Sequence, residues 1–235
     1  MTHLQQTGND QTMKYKAVLF DLGGTLVKTA GIPEIFRRIL ESFGSRVDID
    51  LIEKAYEANK IRFDVEAGQV ELGESFWTKW NANLLIEVGI ENDTEHLAKR
   101  ISDAWWNHAG LQLYSDVLPT VTNLSTKKIP TGIVTNALRN DYEQILRRLR
   151  IEQYFDIVVG TDDCRAAKPD PRIFEYALEK LNLEPSETIF VGDDVRRDYE
   201  GSKKAGMKPL LISRRRKASK DFESVDELTE ILHYL

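Results

Sequence analysis

The 235-residue sequence lacks the features that mark several classes of protein. It contains a single cysteine, Cys164, so neither an internal disulfide nor a cysteine-based metal cage can form. No segment approaches the roughly 18 to 20 apolar residues of a membrane span, and residues 1–11 lack the apolar stretch of a signal peptide. These absences favour a cytoplasmic protein without a membrane partner.

The charge balance shows no basic excess. The chain has 38 acidic residues against 32 lysines and arginines, a formal net charge of −6, which argues against a nucleic-acid partner. The one dense basic run, residues 214–217, is interpreted as a solvated loop after a strand. A hydrophobic content of 41% is enough for a core of ordinary size, in a monomer or a homodimer.

Short β-prone runs predict an α/β fold. They cover residues 15–20, 129–135, 155–160, 188–192 and 209–212, and helical patterns separate the last four. This alternation is typical of a doubly wound, Rossmann-like parallel sheet with right-handed crossovers. Ligands bind such sheets beyond the carboxyl ends of the strands, and Asp21, Thr135, Lys168 and Asp193 follow those ends.

The first connection between strands is far longer than a single crossover needs. Residues 31–111 show successive amphipathic helical patterns, in which Ile35, Phe36 and Ile39, for example, share one face. We therefore predict a flexible tail over residues 1–13, an α/β core over 14–30 and 112–235, and a helical insert over 31–111. Within the core, we expect helices at 116–125 and 223–235. Translation starts at Met1 or at Met13.

The segment Phe20-Asp21-Leu22-Gly23-Gly24-Thr25-Leu26 places an acidic residue in a glycine turn. Paired glycines allow a tight turn whose backbone amides, at Gly24 and Thr25, face an anion. An aspartate in this position can attack phosphorus to give an aspartyl-phosphate. The segment thus predicts a nucleophile at Asp21 beside a phosphate-binding loop.

A second acidic segment, Gly192-Asp193-Asp194-Val195-Arg196-Arg197-Asp198, predicts a cation site. Its three carboxylates repel one another unless a cation lies among them. Mg²⁺ prefers oxygen ligands and uses few protein groups, so it suits this cluster. Asp193 or Asp194 is the direct ligand.

Two further segments are Ile133-Val134-Thr135-Asn136 and Lys168-Pro169-Asp170-Pro171. The four segments resemble the four motifs of the haloacid dehalogenase superfamily, in order and spacing, from about residue 14 to 212. The helical insert is similar to the cap of one phosphatase-like branch, which closes over the site. The resemblance implies a nucleophile at Asp21 and a phosphoryl group held by Thr135 and Lys168. It also implies substrate contacts at Gly24, Thr25 and Asn136, and Mg²⁺ bound by Asp21, the Gly23 carbonyl, Asp193 and Asp194, with Asp198 as an acceptor behind them.

Gly23 departs from the family pattern, which usually has a second aspartate at this position to protonate the leaving group and later activate water. Glycine keeps only the backbone carbonyl. Losing a positioned acid or base costs about 10² to 10⁴-fold in rate. The resemblance therefore implies a Mg²⁺-dependent hydrolase of a small phosphorylated metabolite, with low activity or with a leaving group that is stable as an anion, such as an acyl or aryl group.

Other interpretations stay open. Gly23 also suits an inactive or weak member of the family that binds a phosphorylated ligand or a protein. Phosphonatases and 2-haloacid dehalogenases of the superfamily also lack the second aspartate, but the acidic cluster favours phosphate chemistry. A cap residue could replace the missing acid, with candidates at His96, His108, Lys28 and Glu34. The tryptophans at 77, 80, 105 and 106 belong to the cap core, a cap pocket or a partner surface.

Overall fold

The computed structural model describes residues 15–214 and 219–235. The predicted tail, residues 1–13, and positions 215–217 of the basic run lie outside the described residues. No helix within the described ranges is both long and apolar enough to cross a membrane.

A six-stranded sheet forms the core, with strand order β5-β4-β1-β6-β7-β8 and parallel pairing throughout. The α/β doubly wound fold is therefore confirmed. The strands of the chain are β1 Ala17–Phe20, β2 Val27–Lys28, β3 Gln112–Leu113, β4 Thr131–Val134, β5 Ile157–Val159, β6 Thr188–Gly192, β7 Lys208–Ile212 and β8 Ser224–Val225. The central strand β1 is buried at every position, which suits its uninterrupted apolar sequence.

Helices pack on both faces of the sheet, and five other helices form a separate layer above it. The layer contains α1 Ile32–Ser42, α2 Ile49–Arg62, α3 Val65–Leu72, α4 Glu74–Glu87 and α5 Thr94–His108. The helices of the core are α6 Val117–Thr126, α7 Arg139–Leu149, α8 Thr161–Cys164, α9 Pro171–Leu181 and α10 Gly201–Lys204, and a π-helical segment covers Val195–Glu200. The start of α9 follows the sequence, since the Asp170 carboxylate accepts from the Arg172 amide and Pro171 takes the first turn.

The helices α1 to α5 form the cap, which has a hydrophobic core of its own. The buried residues of this core include Ile35, Phe36, Ile39, Leu40, Ile52, Leu84, Leu85, Ala98 and Ile101. Two chain segments join the cap to the sheet, and they pair as the short antiparallel strands β2 and β3. The Ala30 amide also donates to the Ala109 carbonyl at 2.9 Å. This paired linker lies at the predicted domain boundaries.

Two features differ from expectation. Residues 223–235 are not one helix: Val225 in β8 pairs with Ile212 at the edge of the sheet, and a 3₁₀ helix follows over Leu228–Tyr234. Backbone pairing with an open sheet edge outweighs the local helical pattern there. Arg214, expected in a solvated loop, is largely buried because its guanidinium has partners in the protein interior.

Candidate active site

The predicted catalytic residues meet at the carboxyl edge of the sheet. Strand β1 lies between β4 and β6, and Phe20 is in register with Ile133 on one side and Val191 on the other. Asp21 directly follows β1, while Thr135 and Asp193 follow the ends of the neighbouring strands at the same level. Three segments far apart in sequence therefore converge because the strand order places them side by side.

Lys168 lies at the centre of a buried charge cluster. Its ammonium donates to Asp21 Oδ1 and to Asp198 Oδ1, both at 2.6 Å, and its side chain is 2% exposed. Burial alone lowers the pKa of Lys168, but the negative charges of Asp198 and Asp21 outweigh burial and raise the pKa above its ordinary value. The lysine is therefore cationic and holds the Asp21 carboxylate in one orientation.

In this cluster, the carboxylates of Asp21, Asp193 and Asp198 outnumber the single cation, the ammonium of Lys168. Burial raises the pKa of Asp21, although Lys168 opposes the shift. Burial also raises the pKa of Asp198 to about 6, again against the effect of Lys168. At Asp193, loss of surrounding water and the charge of Asp198 raise the pKa to about 6. Excess negative charge in a partly dehydrated site favours binding of a cation.

Three carboxylates are close enough to share a metal ion. One oxygen from each of Asp21, Asp193 and Asp198 lies within 4.8 Å of the others. An all-oxygen donor set with few protein ligands suits Mg²⁺. The residues present therefore fit Mg²⁺, the ion expected from the sequence.

The structure separates Asp193 from Asp194. The Asp194 side chain caps the π-helical segment, accepting from the Arg197 amide at 2.7 Å, and lies outside the carboxylate cluster. Asp198 lies within the cluster, but both of its oxygens already accept hydrogen bonds, from Lys168 and from the Asp194 amide at 3.0 Å. Asp193 is the carboxylate of this segment that remains available to a metal.

The Asn136 side chain holds the backbone of Lys168. Its side-chain nitrogen donates to the Lys168 carbonyl at 3.0 Å, and its oxygen accepts from the Lys168 amide at 2.7 Å. Both ends of the side-chain amide are thus engaged by the Lys168 backbone. The structure thus adds a support for Lys168 to the substrate contact expected at Asn136, which stays a prediction. Thr135 is buried beside it, and its hydroxyl accepts from the Ala137 amide at 3.2 Å.

The glycine turn packs tightly against the acidic segment. Gly24 has a left-handed backbone (φ 88°), and a Cβ there would overlap the Asp193 carboxylate. Gly23 is exposed, and a Cβ there would meet no atom within 4 Å. The backbone at position 23 therefore leaves room for a Cβ. Thr25 is fully buried, and its hydroxyl has no hydrogen-bond partner among the described residues. The substrate contact expected at Thr25 stays a prediction.

Arg214 braces the catalytic loop, a role that the sequence analysis missed. Its Nε and Nη2 donate to the Thr25 carbonyl at 3.1 and 2.7 Å, and its Nη1 contacts Asp116 Oδ2 at 2.7 Å. The guanidinium also lies over the Tyr114 ring, 4.0 Å from its centroid. The local sequence gives no signal for this role, because the partners lie about 98 and 189 positions away along the chain.

A cavity of about 480 Å³ lies between the cap and the core. All four tryptophans of the chain line it, and three of them also belong to or pack against hydrophobic cores, since Trp80 is buried and Trp105 and Trp106 contact the core of the cap. We call it the cap cavity. Its cap residues are Ile35, Tyr56, Lys60, Val65, Gln69, Trp77, Trp80, Asn81, Ser102, Trp105 and Trp106; Thr29 and Ile32 line it at the linker, and Asn136, Ala137, Asp141 and Arg197 on the core side.

Polar contacts hold the cap against the core around this cavity. Glu66 on α3 accepts from Arg196 and Arg197, both at 2.7 Å, and Trp106 Nε1 donates to Asp141 Oδ1 at 2.8 Å. The four residues considered as replacement acids are not among the lining residues of the cavity. His96 pairs with Asp93 on the surface, and Glu34 pairs with Arg37 and Arg38, whose hydrogen bonds lower its pKa to about 2.

The fold and the site define a class of hydrolase in which an acidic nucleophile at the mouth of a parallel sheet lies under an inserted helical cap. The family model described as haloacid dehalogenase-like hydrolase matches residues 15–206. The chain therefore belongs to the haloacid dehalogenase-like hydrolases, as its motifs indicated.

Several related proteins are named as phosphatases. The chain is 30% identical over 203 residues to a glyceraldehyde 3-phosphate phosphatase of Methanopyrus kandleri, covering 85% of this chain and 84% of that protein. It is 30% identical over 204 residues to the pyrophosphatase PpaX of Bacillus mycoides, covering 86% and 85%. A crystal structure of a phosphatase of this family from Thermococcus onnurineus superposes with a TM-score of 0.64 at 26% identity, covering 93% and 96% of the two chains. These similarities support a hydrolase of the phosphatase type.

Proposed function

We propose that this protein is a Mg²⁺-dependent phosphatase that hydrolyses a small phosphorylated metabolite through an aspartyl-phosphate at Asp21. One observation carries the proposal: Lys168, 2% exposed, lies 2.6 Å from both Asp21 and Asp198. A buried ammonium orients the Asp21 carboxylate and offsets its charge, which an anionic nucleophile needs in order to approach an anionic phosphate. A purely structural ion pair does not need to lie at the carboxyl edge of a sheet beneath a cavity.

In the proposed reaction, a carboxylate oxygen of Asp21 forms a bond to phosphorus while the bond from phosphorus to the leaving oxygen breaks. The leaving oxygen takes the electron pair and receives a proton from solvent. The Thr135 hydroxyl and the Lys168 ammonium hold the phosphoryl oxygens, and Asn136 keeps Lys168 in place. Water then attacks the aspartyl-phosphate, which releases phosphate and restores Asp21.

Asp21, Asp193 and the Gly23 carbonyl are the groups that would hold Mg²⁺, which supplies positive charge to the phosphate oxygens. Asp198 supports the cluster by binding Lys168 and the Asp194 amide. The relatives named as phosphatases support this assignment of chemistry.

The test is phosphate release from a panel of esters and acyl phosphates with Mg²⁺ present. The wild-type protein should release phosphate, and its Asp21 peptide should carry a phosphoryl group after rapid acid quenching. Asp21→Asn should abolish both signals, because an amide does not form the acyl phosphate. Asp103→Asn, an exposed carboxylate of the cap, is the matched control and should leave both unchanged. Turnover that survives in Asp21→Asn would refute the proposed nucleophile.

A second candidate, a binding protein without catalysis, is favoured by Gly23 alone. The test of this candidate is Gly23→Asp, since a Cβ at position 23 has no atom within 4 Å. If the wild type is inert on every compound and Gly23→Asp gains turnover, the protein binds its ligand without hydrolysing it. Under the proposed function, the wild type already cleaves acyl phosphates, and Gly23→Asp extends cleavage to alkyl esters by about 10² to 10⁴-fold.

A further inference from the structure

We propose that the cap cavity holds an aromatic ring of the substrate, and that the substrate is an aryl phosphate monoester. The inference rests on the proposed function, because it needs the phosphoryl group to lie at Asp21. It goes beyond that function by assigning the chemical class of the leaving group. Two independent observations carry it: the lining of the cavity and the residue at position 23.

Five aromatic residues line the cap cavity: Tyr56 and all four tryptophans. Trp80 packs its ring between Phe63 at 5.6 Å, Phe76 at 5.9 Å and Trp77 at 6.0 Å, measured between centroids. Tyr56 meets Trp80 edge to face at 6.1 Å. This network fixes several of the rings that face the cavity, so an entering ring finds preformed partners for stacked and edge contacts. The volume of about 480 Å³ is within the usual range for a small-molecule site.

The charged groups at the cavity are already paired. Lys60 contacts Glu57 at 3.0 Å, and Arg197 contacts Glu66 at 2.7 Å. Asp141 accepts from Trp106. A second phosphate or a carboxylate on the substrate would meet no unpaired cation among these lining residues. The cavity therefore favours an uncharged leaving group over pyrophosphate.

An amide side chain at the cavity is free to bind such a group. Gln69 on α3 is 4% exposed and lines the cavity, and its side-chain amide makes no hydrogen bond within residues 15–214 and 219–235. A ligand hydroxyl or carbonyl in the cavity can therefore hydrogen-bond to this amide without displacing an existing protein contact. A ring that carries one polar substituent matches this single amide better than a sugar, which would need several partners.

The glycine at position 23 independently favours an aryl phosphate. Without an acid at Gly23, the P–O bond must break with the leaving oxygen unprotonated, and a phenolate then takes its proton from solvent. A phenol has a pKa of about 10, whereas an aliphatic alcohol is a far weaker acid, so the phenolate leaves far more easily. An aryl ester therefore needs the missing acid least, and its ring matches the aromatic cavity.

The experiment varies the ring and the leaving group separately. Phenyl phosphate has a ring and a good leaving group, benzyl phosphate a ring and a poor one, acetyl phosphate no ring and a good one, and propyl phosphate neither. We expect phenyl phosphate to have the highest kcat/KM, with a KM about tenfold or more below that of acetyl phosphate. Benzyl phosphate should bind as well as phenyl phosphate but turn over far more slowly.

Binding is measured without turnover by intrinsic tryptophan fluorescence, since all four tryptophans line the cavity. Phenylphosphonate should change the emission and bind with a Kd about tenfold below that of methylphosphonate. Gln69→Glu, which places a carboxylate in the cavity, should weaken phenylphosphonate binding and lower the ratio of kcat/KM for phenyl over acetyl phosphate. Gln153→Glu, on an exposed surface outside the cavity, is the matched control and should change neither quantity.

The outcomes separate the two proposals. If acetyl phosphate is cleaved but the phenyl compounds bind no better than their ring-free counterparts, the aryl assignment is wrong and the proposed function stands. If no compound is cleaved by the wild type, the proposed function fails and the aryl assignment fails with it. An unchanged phenyl-to-acetyl ratio in Gln69→Glu would also overturn the placement of the ring.

Discussion

Replacing Lys168 with methionine tests whether the buried charge cluster is held together as described. Methionine has a similar length but no charge, so Lys168→Met leaves the carboxylates of Asp21 and Asp198 facing each other without the ammonium that lies 2.6 Å from each. Removing one partner of a buried ion pair costs about 3 to 5 kcal/mol of folding free energy. For a chain of this size, that loss lowers Tm by about 6 to 20 °C.

The loss of stability in Lys168→Met should depend on pH, and the direction of this dependence gives a second test of the charge cluster. In the wild-type protein, burial raises the pKa of Asp198 to about 6 from an ordinary value of 3.8, although Lys168 opposes the shift. A carboxyl with a raised folded-state pKa stabilises the fold at low pH, and that stabilisation is lost as the pH rises through the folded-state value. Without Lys168, the carboxyl pKa values rise further. The stability gap between Lys168→Met and wild type should therefore be wide above pH 6 and narrow below it.

The assay is urea denaturation in the presence of a chelator, above and below pH 6, with phosphate release measured in parallel with Mg²⁺. Lys180→Met, an exposed lysine on α9, is the matched control and should change stability little. The double variant Lys168→Met with Asp198→Asn removes one of the facing carboxylates, so it should recover part of the stability but none of the activity. A loss that is equal at both pH values, or no loss at all, would show that the three charges do not interact as the structure indicates.

Three further predictions follow from the contacts around the site. Arg214→Lys should lower the free energy of unfolding, measured by urea denaturation, by about 1 to 3 kcal/mol and reduce phosphate release, because one ammonium cannot satisfy both Asp116 and the Thr25 carbonyl. Wild-type stability in this variant would contradict the bracing role. Mg²⁺ at a hundred times its Kd should stabilise the protein by about 2.7 kcal/mol above pH 6. Below that pH the gain should shrink as Asp193, whose pKa is raised to about 6, takes up a proton, and an equal gain at both pH values would argue against this site. Glu66→Gln should change the free energy of unfolding by less than about 1 kcal/mol, because the ion pairs of Glu66 with Arg196 and Arg197 are partly exposed. It should nevertheless speed amide hydrogen exchange in α3, and unchanged exchange would show that these pairs do not hold the cap.

The motifs could be read from the sequence because each is local. Asp21 follows an apolar strand and precedes two glycines, and Asp193 follows another strand and one glycine, so residue type and spacing reveal both. The helical insert was equally visible, since amphipathic periodicity over 31–111 does not depend on distant partners. The edge strand β8 was missed because its two residues form a strand only by pairing with β7.

The sequence by itself determined the class of fold, the order of the catalytic segments and the absence of the usual aspartate at Gly23, because these depend on residue identity and short-range pattern. Only the tertiary structure decided which groups act together. It assigned Asp194 to a helix cap, Asn136 to the support of Lys168 and Arg214 to the catalytic loop. It also brought the four tryptophans, which lie on two cap helices, around one cavity. These roles depend on contacts between segments distant in sequence, which become defined only when the sheet and the cap pack together.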